Sequence, residues 1–189
     1  MSLSVKQKLR SVLQKKRSTL SSHYRQQAHI SAVNFLLSNK QWQLANNVGL
    51  YSATPLEFAT DMFFQAAYEA RKFIYLPVIN SANKQLKFVR YKNNEALVIN
   101  KYNILEPQNQ AEIDLAQIDL LLLPVVGYDQ KGYRLGMGGG YYDRSLQHLP
   151  NKPFKLGLAY KLQYYPDLPS DPHDIKLDAI LTEEGIHYF

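Results

Sequence analysis

Apolar residues at Val5, Leu9, Val12 and Leu13 recur every three to four positions, the spacing of one helix face, and predict a helix over residues 5–20. The same period returns at Ala28, Ile30, Val33, Leu36 and Leu37, predicting a second helix over 22–37. Then the pattern changes. Residues 47–51 form a short apolar run fit for a buried strand, Thr60 is placed to cap a helix reaching about Arg71, and 72–76 are strand-like up to Pro77. Strand, helix, strand is the rhythm of a parallel sheet with helical crossovers. Residues 86–91 alternate, the polar stretch 93–117 reads as hairpins and loop, and 118–126 is a nearly continuous apolar run, the mark of a central strand. Beyond it, 141–149 is expected as a helix, 154–160 as a strand and 177–182 as the last strand. Together these predict an α/β fold: a three-layer sandwich with a mostly parallel central sheet flanked by helices, some antiparallel additions, and a single domain over residues 1–189.

Composition narrows the class. A chain of 189 residues suits one domain, and 46% hydrophobic content suits a real core. There is no cysteine, the first twenty residues are basic and polar rather than a signal core, and no apolar run approaches the ~20 residues of a membrane span. A soluble cytoplasmic protein without a membrane partner is expected. The formal charge of +6 suits an anionic partner, which leaves nucleic acid, a membrane surface and a small phosphorylated ligand open. The fourteen tyrosines are scattered along the chain, which favours packing over base stacking.

The candidate chemistry lies after the strongest strand. Of nine glycines in the chain, Gly127, Gly132, Gly136, Gly138, Gly139 and Gly140 fall within fourteen residues. Glycine permits positive φ and leaves amides uncovered, so strand, glycine loop and helix form an arrangement in which N–H groups can grip phosphate oxygens. Neither nucleotide fingerprint with this logic is present: no Gly-Lys-Ser/Thr follows, and Tyr141 stands where the dinucleotide pattern begun at Gly136 needs a small residue. The charges flanking the glycines carry the chemistry instead. Arg134 can set a planar guanidinium against phosphoryl oxygens, and Asp143 can hold a hard cation such as Mg²⁺. The plainer alternative is a tight turn followed by a helix-start aspartate. On the first helix Lys6, Arg10 and Arg17 share a face beside the apolar stripe, a pattern that also fits a solvated surface.

The order of motifs resembles the 5-formyltetrahydrofolate cyclo-ligase family almost end to end. Lys6 and Arg10 four apart, Glu57 and Thr60 in a Glu-x-x-Thr segment, Leu76-Pro77, Glu106-Pro107, Pro124 with Asp129 and Gly132, the run RLGMGGGYYD over 134–143, Gly157-Leu-Ala, Gln163, His173-Asp174 and Asp178 follow in sequence. Met137 stands where a larger aromatic or basic residue is common, and Gly127-Tyr128 replaces a more usual small residue and phenylalanine. The resemblance implies an enzyme that uses ATP and Mg²⁺ to close 5-formyltetrahydrofolate, with or without a polyglutamate tail, to 5,10-methenyltetrahydrofolate. It further implies that Lys6, Arg10, Arg134, Leu135, Gly136, Met137, Gly138, Gly139, Gly140, Tyr141 and Tyr142 bind ATP, with Lys6, Arg10 and Arg134 catalytic. Ser52, Glu57 and Tyr142 would bind the folate, and Asp143 and Asp174 the Mg²⁺. A monomer that binds no nucleic acid is expected. Two competing readings are a nucleic-acid-binding module, motivated by charge and tyrosines, and a different enzyme on a similar fold, such as a sugar-phosphate isomerase or coenzyme A transferase. Neither explains the loop from Arg134 to Asp143 together with a use of ATP.

Overall fold

Two helices open the chain, α1 (Val5–Ser18) and α2 (Ser22–Leu37), in a computed structural model that describes residues 4–93, 95–108, 111–149 and 152–189. Each starts on a serine whose hydroxyl accepts a backbone N–H: Ser4 from Gln7 and Ser21 from Tyr24. The Gln7 side chain accepts in return from the Ser4 N–H, completing a capping box. A short helix not visible in the periodicity, α3 (Lys40–Leu44), is capped by Asn39 and leads into β1 (Asn47–Gly49). α4 (Asp61–Glu69) then connects to β2 (Phe73–Asn80). Thr60 does precede α4, but its hydroxyl donates to the Tyr51 carbonyl at 2.8 Å and caps nothing. The expected cap is instead a tie between the helix and the end of β1.

β2 does not stop at Pro77 but runs through it, antiparallel to β3 (Gln85–Tyr91). The N–H of Ile79, two residues on, points away from β3 to the Glu106 side chain, and Pro77 shares that orientation. On that side the Leu50 N–H, just past β1, still donates to the Tyr75 carbonyl at 2.9 Å; the ladder with β1 stops where proline offers no N–H, and β2 continues on its pairing with β3. β4 (Leu97–Ile99), β5 (Leu105–Pro107) and β6 (Glu112–Ile113) follow; residues 94, 109 and 110 of the stretch expected as hairpins and loop lie outside the described residues. β7 (Leu120–Pro124) is the expected central strand. The glycine-rich segment holds a small hairpin, β8 (Gly127–Tyr128) with β9 (Arg134–Leu135), before α5 (Tyr141–Leu146), which stops short of the expected 149. β10 (Phe154–Leu158), β11 (Ala179–Thr182) and an unexpected antiparallel β12 (Gly185–Tyr188) complete the chain.

The main sheet has the order β12-β11-β10-β7-β1-β2-β3-β6. Its four central pairings, from β11 to β2, are parallel, and β12, β3 and β6 are antiparallel additions at the two edges. β7 shows why its sequence carries no polar position: Leu120 and Leu122 face a core formed with α2 and α4, while Leu121 and Leu123 face a second core that includes Leu146 of α5. All four leucines are fully buried, as a strand covered on both faces requires. The three expected layers are therefore present. α1 stands apart from them, its Leu9 and Leu13 packed on Val126, Leu135 and Leu168 beyond the end of β7. Among the described residues no helix is long and apolar enough to cross a membrane.

Candidate active site

Numbered by chain order, the five parallel strands lie in the sheet as 2-1-3-4-5, so the connections leaving β1 and β7 diverge between neighbouring strands. Ligands of open α/β sheets bind in the crevice that such a divergence opens at the carboxyl ends of the strands. Here a cleft of about 330 Å³ occupies that place, lined by Tyr51 and Ser52 after β1, Pro77 and Ile79 on β2, and Pro124, Val125 and Val126 at the end of β7. The cleft also holds every residue that the sequence nominated for the site, from Lys6 to Asp174.

One end is cationic. The packing of Leu9 and Leu13 turns Lys6 and Arg10 of α1 towards the glycine loop. Arg10 Nε donates to the Gly136 carbonyl at 2.7 Å, and its guanidinium lies across Gly138, where a Cβ would come within 3.2 Å of Arg10 Cζ. Gly138 also has φ +98°, a backbone conformation that strains any other residue, and a side chain there would push against Arg10 as well. The N–H groups of residues 138 to 143 have no acceptor among the described residues, which leaves a row of donors along the loop. Leu135 lines the cleft, yet its side chain is spent in the small cluster with Leu9 and Leu13. Met137 is exposed, its sulfur 3.2 Å from Gln14 Nε2.

Arg134 is held inside the wall of the cleft, with Nη1 donating to the Ile175 carbonyl at 3.0 Å and Nη2 3.1 Å from Asp143 Oδ1. The Ile175 N–H donates to the same Asp143 oxygen at 3.2 Å. The segment around His173 thus closes over the glycine loop, and it does so through backbone groups that no motif could reveal. The two nominated cation ligands nonetheless have different partners. Asp174 Oδ2 accepts from Lys6 Nζ at 2.6 Å and from the Asp171 N–H at 2.8 Å, and Lys6 Nζ also reaches Asp171 at 2.6 Å. Possible ligand atoms of Asp171, His173 and Asp174 lie within 4.8 Å of one another; Asp143 is outside that group. Asp171 adds a carboxylate that sequence reading left out, since only its proximity to His173 marks it.

Burial pulls the Lys6 ammonium down, but hydrogen bonds to Asp171 and Asp174 outweigh it and raise its pKa. Burial pushes Asp174 up, and the bonds from Lys6 and the Asp171 N–H outweigh that and lower its pKa below 3.8. A depressed carboxylate stabilises the fold above its unfolded pKa and loses that contribution as pH falls through the folded value. A raised ammonium stabilises below 10.5 and loses its contribution only above that. The extra thermal stability of wild type over Lys6→Met is therefore expected to be level from about pH 5 to 9 and to shrink below about pH 4. Melting curves across that range check it; a difference unchanged at low pH would show that the tether adds nothing.

The other end of the cleft is apolar with carboxylates set into it. Pro77, Ile79, Leu86 and Ile104 form walls, and Glu57 Oε2 is held by the Thr54 N–H at 2.8 Å. The half-buried Tyr142 faces this region; burial, reinforced by the Glu57 charge, pushes its hydroxyl well above the ordinary tyrosine range, so it remains a neutral donor. Glu106, legible only as part of a Glu-Pro motif, accepts at Oε1 from the Ile79 N–H at 3.0 Å and Asn100 Nδ2 at 2.7 Å. Arg17 departs from Lys6 and Arg10: it turns inward, 3% exposed, with Nη1 3.4 Å from the Val125 carbonyl. Burial lowers its pKa, and the charge of Glu57 opposes that.

A doubly wound α/β fold with a cationic, glycine-lined crevice at its switch point has the architecture of an open α/β enzyme, with a crevice whose charge suits an anionic group. The particular family follows from similarity along the whole chain: the sequence signature of the 5-formyltetrahydrofolate cyclo-ligase family matches residues 2–183. The 5-formyltetrahydrofolate cyclo-ligase of Haemophilus influenzae is 35% identical over 181 residues, which cover 94% of this chain and 97% of that one. That of Escherichia coli K12 is 30% identical, over 93% and 98% of the two chains. Among solved structures, 5,10-methenyltetrahydrofolate synthetase from Aquifex aeolicus superposes with a TM-score of 0.85 at 29% identity, over 98% of this chain and 93% of that one. The chain belongs to the 5-formyltetrahydrofolate cyclo-ligase family and is an enzyme.

Proposed function

We propose that this enzyme uses ATP and Mg²⁺ to convert 5-formyltetrahydrofolate to 5,10-methenyltetrahydrofolate, with release of ADP and phosphate. The observation that carries the reading is one continuous cleft that joins a row of free amides and three cationic side chains to an apolar end bearing Glu57. The first end suits a triphosphate and the second a pterin, whose ring NH and amino group present parallel donors to a carboxylate. Ser52 and Tyr142 border the same region.

A formamide carbonyl is a poor electrophile because nitrogen donates into it. Transfer of the γ-phosphoryl group to the formyl oxygen forms an O–P bond, breaks the bond to ADP, and turns that oxygen into a leaving group. N10 then attacks the formyl carbon and loses its proton, and the C–O bond breaks with its electrons going to phosphate. Attack within one bound substrate has a large effective molarity, so the protein mainly positions groups and neutralises charge. Lys6, Arg10 and Arg134 are the neutralising groups in this reading, and the loop from Leu135 to Tyr142 is the cradle. Asp143 and Asp174 offer carboxylate oxygens to the cleft, as does Asp171 beside Asp174, and such ligands fit a hard cation; the His173 ring lies in the same group as the latter two. Bound there, Mg²⁺ would supply positive charge to the phosphate oxygens. The half-reactions require no cysteine or serine nucleophile, and the chain has no cysteine.

Purified protein is expected to form the methenyl product, followed by its absorbance, only when 5-formyltetrahydrofolate, ATP and a divalent cation are all present. Undiminished activity on omitting ATP would overturn the reading.

A further inference from the structure

Three successive glycines give the loop a weakness as well as a use. Peptide planes between glycines rotate at little steric cost, so an N–H that faces the cleft can be exchanged for a carbonyl oxygen unless something fixes it. Arg144, on the outer side of α5 and not among the residues lining the cleft, is placed to do the fixing. Its Nη2 donates to the Gly139 carbonyl, and its Nε donates to the Lys84 carbonyl at 2.8 Å in the turn between β2 and β3. The guanidinium carbon also lies 5.4 Å from the centre of the Tyr141 ring. Gly140 has φ +65°, and a Cβ there would come within 2.7 Å of Arg144 Nη1, so the arginine packs directly on the loop's outer surface.

In a trans peptide the C=O of one residue and the N–H of the next point in opposite directions. Holding the Gly139 oxygen towards Arg144 therefore turns the Gly140 N–H away from it, to the side where the cleft lies. We infer that Arg144 is a positioning residue that keeps the Gly139–Gly140 peptide in its anion-binding orientation and so sets affinity for the nucleotide. The inference rests on the reading that this loop holds the triphosphate. An ammonium at this place would keep the charge but has no planar fork to engage the Lys84 and Gly139 carbonyls together.

The test is calorimetric binding of the Mg²⁺ complex of a non-hydrolysable ATP analogue to wild type, Arg144→Ala, Arg144→Lys and Gln85→Ala, with steady-state KM values for both substrates. Gln85 is the control, because its side chain donates to the Arg144 carbonyl at 3.3 Å and leaves the guanidinium contacts untouched. Arg144→Ala is expected to weaken binding about tenfold and Arg144→Lys several-fold, as loss of a charge-assisted hydrogen bond would. Gln85→Ala, the folate KM and the melting temperature are expected to stay near wild type. Wild-type affinity in Arg144→Ala would overturn the inference. Wild-type affinity in Arg144→Lys alone would assign the effect to long-range charge, and a folate KM rising in parallel would assign it to general loosening; either outcome removes the positioning role. Failure of wild type itself to bind the analogue would instead bring down the reading of the loop as a nucleotide site.

Discussion

Arg134→Ala is expected to lower kcat by on the order of 10³-fold at saturating ATP and folate, the low end for arginines that stabilise phosphoryl transfer. The geometry sharpens this expectation. Arg134 is only 9% exposed, fixed on β9 by the Ile175 carbonyl and by Asp143, so its guanidinium is oriented before any ligand arrives. Such preorganisation favours an interaction that strengthens as charge develops, which appears in kcat rather than in KM alone. Arg134→Lys is expected to recover little, since one ammonium cannot serve both Ile175 and Asp143 in the plane of a guanidinium. The variant also leaves the Asp143 carboxylate without its charged partner, so circular dichroism should accompany the kinetics. A folded Arg134→Ala losing less than tenfold would reassign the residue to holding the His173 segment in place.

The second large effect separates the two aspartates. Asp143 stands in the first turn of α5, its Oδ1 aligned by the Ile175 N–H and Arg134, whereas Asp174 Oδ2 is engaged by Lys6 and the Asp171 N–H. A cation recruiting Asp174 must share it with an ammonium at 2.6 Å. Mg²⁺ takes only one or two carboxylates and keeps several waters, so the weaker ligand can act through water. Asp143→Asn is therefore expected to raise the Mg²⁺ needed for half activity by tenfold or more, on the order of changes near metal sites, and Asp174→Asn by a smaller factor. The measurement is a Mg²⁺ titration of turnover at saturating ATP. A wild-type titration for Asp174→Asn would remove it from the cation site and leave it as the anchor of Lys6.

The layers of the fold were legible because each long element carries its own period. β7 reads as a central strand from four leucines in a row, and α1 and α2 from apolar positions three to four apart. Elements that depend on distant pairing were not. β12 has four residues and exists because Ala179–Thr182 offers an edge, and the hairpin of β8 and β9 is hidden in a segment whose glycines speak first of a loop. Pro77 looks like a strand end until its pairing with Phe88 shows β2 running on, the missing N–H ending only the ladder with β1. In the site, the types and order of residues could be read from the motifs, but their partners could not. Lys6 meets Asp174 across 168 residues of chain, and Arg17, on the same helix face as Lys6 and Arg10, goes inward because α1 lies on its Leu9 and Leu13. The role of Arg144 has no local signal, because its two acceptors are backbone oxygens, one of them sixty residues away.

In the proposed reaction the formyl oxygen leaves as phosphate, phosphorylated by ATP. This is tested most directly with 5-formyltetrahydrofolate carrying ¹⁸O in the formyl group, turned over by wild-type enzyme with ATP and Mg²⁺, and the released phosphate analysed by mass. One ¹⁸O is expected in each phosphate formed with the methenyl product. Label appearing in water, with phosphate unlabelled, would contradict it.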